Sequence, residues 1–307
     1  MKYSDHIYYI GRFPYQIWQM GRIAKKLGGI VVMPGYEGEI GGVCLFANQV
    51  NSHHNDKVVR VYVTHGTSNK MTTMLPGDQG KDRYDYYWTT GPKYRDILKT
   101  FGHWLDGKEI KIGNLRFDWY FHEYSKANVM KMLKMKDDRK TVIFAPTLNM
   151  HTLEHCDSIL KPLLEKYNVI LKAHPIEKIN LNRPHKRLKV YVGDIADILW
   201  AADILISDTS SVAYDFTITG KPIVLCQPIY TTDFNDEDDK YNLMKHTAVY
   251  HYFHPYQDDI MEKIEEAESR TDEIKQLCKD AFWYQDGYAT DRACKWIRKI
   301  VDERFSK

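Results

Sequence analysis

The sequence predicts an α/β protein in which two successive Rossmann-like βα domains face each other across a cleft, with a helical tail behind them. Three observations predict it. Short apolar runs rich in β-branched and aromatic residues recur through most of the chain, each separated from the next by an amphipathic stretch. No internal repeat or low-complexity tract breaks that alternation. From residue 257 onward the apolar spacing becomes purely helical. A chain of 307 residues accommodates two domains comfortably, since a domain typically holds roughly 100 to 200 residues.

In the first domain, 1–120, strands are expected near 6–10, 29–33, 58–64, 84–89 and 108–112, with helices near 14–27 and 92–101. Val58, Val59, Val61 and Val63 around Tyr62 have the composition of a buried strand. The second domain, 121–307, opens with a helix near 122–135 and continues with strands TVIFAP (141–146), NVILKA (168–173), LKVYV (188–192), ADILIS (202–207) and PIVLC (222–226). Helices near 153–166, 194–200 and 210–219 connect them. The tail ends in ATDRACKWIRKIVDERF, whose Ala293, Trp296, Ile297, Ile300 and Val301 share one helical face.

Composition narrows the function. With 43 basic and 41 acidic residues the net charge is +2, so no broad field attracts nucleic acid. Cys44, Cys156, Cys226, Cys278 and Cys294 are odd in number, widely spaced and free of CxxC pairs, which fits a reducing cytoplasm and neither a disulfide framework nor a zinc site. No signal peptide and no stretch of about 18 apolar residues is visible, which predicts a soluble or peripheral chain.

In parallel sheets ligands bind at the carboxyl ends of strands, and four such ends are polar here. They are Thr64-His65-Gly66-Thr67, Pro146-Thr147, Lys172-Ala173-His174-Pro175, and Ser207 through Ser211. Ser210 and Ser211 precede VAYDF, the start of a helix, where hydroxyls and free backbone N–H groups suit a phosphate. Taken alone, SDTSS is equally a plain helix cap and either histidine a structural one. Four polar ends in register favour a site.

Those segments carry a resemblance. HGTSNK (65–70) resembles the HGTPxK element of the CDP-glycerol glycerophosphotransferase family of teichoic acid and capsule synthesis, with Ser68 in place of proline. In the same order, GNLRFD (113–118), FAPT (144–147), LKAHP (171–175), ADILISDTSSVAYDF (202–216) with KPIVL (221–225), and DGYATDR (286–292) are similar to that family's further motifs, over about residues 60 to 300. Thr209 stands where the family has tyrosine, and Leu148-Asn149 where it has Trp-Arg.

The resemblance implies a GT-B fold with an N-terminal acceptor domain and a C-terminal nucleotide domain. It implies transfer of an alditol phosphate, glycerol phosphate foremost, from a CDP-alditol to an acceptor hydroxyl with release of CMP. His65 would take the acceptor's proton and His174 would bind the diphosphate. Gly66, Thr67, Lys70 and Arg292 would contact substrate, with Arg116 and Lys172 neutralising phosphate charge. Thr147, Asp208, Thr209, Ser210, Ser211 and Asp215 would surround the donor. No metal or other cofactor is expected; the acidic run NDEDD (235–239) reads as a solvated loop.

The expected partners are the CDP-alditol donor and a lipid-linked or polymeric glycan acceptor, at the inner face of the membrane. RPHKRLK (183–189) and the WQMGRIAKKLGG helix offer basic surface for peripheral contact. The competing readings are a GT-B glycosyltransferase using a nucleotide sugar, a sugar-nucleotide epimerase, and a binding module without chemistry.

Overall fold

The computed structural model describes residues 2–11, 17–32, 41–47, 56–63, 84–103, 105–146, 156–172, 185–208, 210–226, 240–251 and 258–305. The chain divides into two compact units, the first comprising Met1–Phe121 with Asp280–Lys307 and the second His122–Lys279.

The first unit holds a parallel sheet of β1 (Ile7–Ile10), β2 (Ile30–Val32), β3 (Gly42–Phe46), β4 (Val58–Tyr62), β5 (Tyr86–Thr89) and β6 (Glu109–Lys111). Its order is β2-β1-β3-β4-β5-β6. Alternation sorts the side chains to two faces. Ile7, Tyr9, Val43, Leu45, Val59, Val61 and Trp88 pack with Ile23 and Leu27 of α1 (Gly21–Leu27) and with Ala293, Ile297, Ile300 and Val301 of the last helix, Ala289–Phe305. Ile10, Cys44, Phe46, Val58, Tyr62 and Tyr87 pack with Tyr94 and Leu98 of α2 (Pro92–Thr100). A sheet buried on both faces reads as continuous apolar runs, which is why all five residues of β3 and of β4 are buried. α3 (Leu115–His122) follows β6.

In the second unit α4 (Lys126–Met132) leads to β7 (Thr141–Ala145), α5 (Cys156–Lys166), β8 (Asn168–Lys172), β9 (Leu188–Tyr191), β10 (Ile204–Ser207), α6 (Ser211–Phe216), β11 (Ile223–Cys226), α7 (Leu243–His246) and β12 (Ala248–Tyr250). α8 (Ile260–Ser269) and α9 (Thr271–Ala281) complete the sequence of elements before the last helix. The parallel sheet runs β12-β11-β10-β7-β8-β9. Val142, Phe144, Val169, Leu171, Ile204, Ile206 and Val224 of one face pack with Ile159 and Leu163 of α5 and Ile260 and Ile264 of α8.

The two parallel-sheet Rossmann-like units are a GT-B-like fold. The expected strands form, with two additions. β3 begins at Gly42 directly after Gly41, a glycine pair that reads as a loop, and β12 has three residues. The expected helix at 122–135 is divided, because Ser125 adopts extended backbone and its hydroxyl accepts from Asn128 N, starting a new helix. The one at 194–200 is two 3₁₀ turns, Ile195–Asp197 and Leu199–Ala201.

The larger correction concerns the tail. The expected division places all C-terminal helices in the second domain, whereas the last helix packs in the first unit's core. Amphipathic spacing tells that a helix has an apolar face and not which sheet that face covers.

Candidate active site

In the second unit the strand order places the topological switch point between β7 and β10, the position at which ligands of doubly wound sheets bind. β10 is paired with β7 through Ser207↔Ala145 and with β11 through Ser207↔Leu225. The Ser207 hydroxyl donates to the Ala145 carbonyl at 2.7 Å, tying the two strand ends across the switch. Pro146 follows one strand and Asp208, Ser210 and Ser211 the other, so two of the polar ends read from the sequence flank the same point.

Ser210 caps α6. Its backbone is extended (φ −75°, ψ 142°) and its hydroxyl oxygen accepts from Val212 N at 3.3 Å. The cap leaves the hydroxyl hydrogen to donate elsewhere. Ser211 begins the helix, and both serines are half-buried. Asp208 is fully buried beside Cys226, whose thiol is pushed well above its ordinary value, first by burial and then by the Asp208 charge, and so stays neutral. Asp215 is buried within α6. Lys172, 9% exposed, ends β8, the strand next to β7 on the other side, and stands in register with Tyr191.

Thr147, His174 and Thr209 lie outside the described residues. So do His65, Gly66, Thr67 and Lys70 of the first unit. The strand that leads to them is described as far as Val63, whose N–H donates to the Phe46 carbonyl at 2.8 Å and carries the β3–β4 pairing to the sheet's carboxyl edge.

Two further motifs meet each other. In GNLRFD, Asn114 Oδ1 accepts from Arg116 N at 3.0 Å and starts α3, leaving Arg116 half-buried in its first turn. Asp118, 1% exposed, accepts from Ala289 N at 3.0 Å and Thr290 N at 2.5 Å, and so caps the last helix. Burial raises its pKa, against the lowering effect of those bonds. In DGYATDR, Arg292 donates through Nε to the Ile112 carbonyl at 2.7 Å and through both terminal nitrogens to Asp286 at 2.9 Å.

Its guanidinium also lies 3.9 Å over the Tyr284 ring. Gly113, at φ +90°, lets this group close, since a Cβ there would stand 3.2 Å from an Arg292 terminal nitrogen. Arg292, expected among the substrate-binding residues, clamps two loops of the first unit. The fork that fits a phosphate fits a carboxylate equally well, so residue type alone does not separate the roles.

Sequence reading passed over a histidine–carboxylate pair at the end of β12. His251 Nδ1 and Asp258 Oδ2 are 2.8 Å apart, and the same oxygen accepts from His251 N at 2.8 Å. Its signal was a histidine after a short apolar run, in a strand that was not expected. Among the described residues no group of three or more His, Cys, Asp or Glu could hold a metal ion.

A model of the CDP-Glycerol:Poly(glycerophosphate) glycerophosphotransferase family matches residues 48–299. The chain belongs to that family. Among curated members of similar sequence, the teichoic acid glycerol-phosphate primase of Bacillus subtilis (strain 168) is 29% identical over 161 residues, 49% of this chain and 40% of the primase. The teichoic acid ribitol-phosphate polymerase TarK of Staphylococcus aureus (strain NCTC 8325 / PS 47) is 27% identical over 199 residues, 58% of this chain and 37% of TarK.

This glycerophosphotransferase-family chain thus spans well under half the length of either. Among solved structures, the wall teichoic acid polymerase TagF aligns over 100% of this chain and 91% of its own, with a TM-score of 0.71 and 16% identity. At that identity the likeness is one of fold.

Proposed function

We propose that this chain transfers an alditol phosphate from a CDP-alditol to an acceptor hydroxyl in the synthesis of a cell-wall or capsule polymer. What supports the reading is the family match at 48–299, which runs through all of those motifs, together with the switch point of the second unit, which Pro146 and the Asp208–Ser211 segment follow. The acceptor oxygen attacks the phosphorus that bears the alditol. A new P–O bond forms there, the bond to the bridging oxygen breaks, and CMP leaves with that oxygen.

In this reading His65 takes the acceptor's proton, with Gly66, Thr67 and Lys70 beside it. His174 and Lys172 hold the diphosphate, while Ser210, Ser211 and the start of α6 stabilise the departing CMP. Thr147, Thr209, Asp208 and Asp215 surround the donor, and Arg116 supplies further positive charge. Arg292 holds the first unit's loops in place for substrate. The reaction is proposed to need no metal, and EDTA at concentrations that strip divalent ions is expected to leave turnover unchanged.

The acceptor is proposed to be a lipid-linked or polymeric glycan at the cytoplasmic face of the membrane. Lys186, Arg187 and Lys189 lie next to Val190 and Val192, which are 45% and 55% exposed, an arrangement suited to anionic lipid. Among the described residues no helix is long and apolar enough to cross a membrane.

The deciding measurement is nucleotide-dependent thermal stability followed by CMP release from CDP-glycerol and CDP-ribitol. A donor at 100 times its dissociation constant adds about 2.7 kcal/mol of stability. A tenfold preference for UMP or UDP over CMP and CDP overturns the reading in favour of a nucleotide-sugar glycosyltransferase.

A further inference from the structure

We propose that the carboxyl edge of β5 and β6 carries a subsite for a neutral sugar ring of the acceptor, built on Trp283, Tyr284 and Tyr288. The inference rests on the reading above, in which the partner of the donor is a glycan hydroxyl.

Most described tyrosines of the first unit's sheet and α2 are core residues: Tyr9, Tyr62, Tyr84, Tyr87 and Tyr94 are at most 3% exposed. Tyr284 and Tyr288, just before the last helix, are 36% and 53% exposed. Exposed aromatic rings are ordinarily free to turn; here the Tyr284 ring and the Tyr288 backbone are held by neighbouring groups. Arg292 covers one face of Tyr284 from 3.9 Å, and that guanidinium is itself held by Asp286 and the Ile112 carbonyl. Tyr288 N donates to Asp286 Oδ1 at 3.1 Å, so both tyrosines border one ion pair.

Trp283 is fixed as firmly. Its indole N–H donates to Thr89 Oγ1 at 2.9 Å and its backbone N–H to the Thr90 carbonyl at 3.1 Å. The Arg95 guanidinium and the Lys111 ammonium lie 5.0 and 4.3 Å from its ring centroid. Gly91 brings the chain onto the end of β5, since a Cβ there would fall 1.9 Å from the Ala281 carbonyl. Rigid aromatic surface binds at low entropic cost, because little is left to order on contact.

Charge decides which part of an acceptor fits. Arg95 pairs with Asp96 and Arg292 with Asp286, while Lys111 lies over the Trp283 ring and Glu109, in the same strand, accepts from the Thr89 hydroxyl at 2.7 Å. The formal charges cancel, so a run of phosphodiesters gains little here. A pyranose, with C–H faces for the rings and hydroxyls for carboxylates and ammonium, matches both properties.

N,N′-Diacetylchitobiose, a neutral disaccharide, and a glycerol phosphate oligomer are titrated into the intact protein without donor, read by tryptophan fluorescence and saturation-transfer NMR. The disaccharide is expected to bind, with affinity at least tenfold lower in Tyr284→Ala and Tyr288→Ala and nearly retained in Tyr284→Phe. The oligomer is expected to bind no more tightly than the disaccharide. Absence of disaccharide binding, or unchanged affinity in alanine variants whose melting is intact, overturns the subsite. So does tight oligomer binding that is lost in Lys111→Ala. CDP-glycerol binding measured on the same samples separates the two ideas. Donor bound without disaccharide removes the subsite alone, and disaccharide bound without donor removes the proposed reaction alone.

Discussion

Asp286, which pairs with Arg292, and Asp118 are two carboxyls of one motif junction, and they respond oppositely to pH. Arg292→Lys keeps the charge and loses the two-pronged bond to Asp286 and the bond to Ile112; it is expected to cost about 1 to 2 kcal/mol of stability and to leave donor affinity unchanged. The guanidinium holds Asp286 below the usual carboxylate range. A depressed carboxyl stabilises the fold above its unfolded value and loses that effect as pH falls through the folded one, so the gap between wild type and Arg292→Lys should narrow below about pH 4. Thermal melts at stepped pH check both points. Burial raises Asp118 instead, so protonation favours its native state and acidification should not weaken the cap by this route. Asp118→Ala removes both bonds to the last helix and should cost about 1 to 2 kcal/mol, with Asp118→Asn, which keeps one acceptor, costing less. At the active site, Ser210→Ala with Ser211→Ala should weaken donor binding by roughly 1.5 to 3 kcal/mol per lost bond, measured by calorimetry. His65→Ala should lower CMP release by roughly 10² to 10⁴ while donor binding persists, and His174→Ala should damage donor binding itself. Motif residues were legible as a set because their order along the chain is specific. The division of labour among them was not, since an arginine's partner depends on which loop folds beside it.

At the scale of elements, what the sequence disclosed was the alternation of strand and helix, and what it concealed was short or glycine-led. β3 begins at Gly42, whose φ of +151° places it where a Cβ would meet the His6 carbonyl at 2.5 Å. Two glycines before five apolar residues look like a loop, yet they admit the strand between β1 and β4. Gly42→Ala should therefore destabilise more than the roughly 1 kcal/mol usual for a point substitution, and Gly91→Ala should do the same through its clash at Ala281. Urea unfolding compares them. The His251–Asp258 pair closes the connection between β12 and α8, and α8 starts at once from the Asp259 cap. Burial would raise Asp258, and the bonds from His251 outweigh it to leave the carboxyl lowered.

For the molecule as a whole, the family motifs distribute over two sheets of different order, and the last helix completes the earlier one. Ile297, fully buried against β1 and β3 residues, illustrates the dependence; Ile297→Ala should cost about 2 to 5 kcal/mol. Stopping the chain at Lys279 should leave the first unit's apolar face uncovered, detected as dye binding and a broadened unfolding transition. The same connectivity sets a timetable for synthesis. On a ribosome, residues of β1, β3 and β4 are made before the second unit, and the helix that covers Val43, Leu45 and Val61 begins only at Ala289, about 230 residues after Val61. At roughly 5 to 20 residues per second that is a wait of about 10 to 45 s. Of the two units, the one begun first is finished second, and its bare sheet face is where a chaperone would find most to hold.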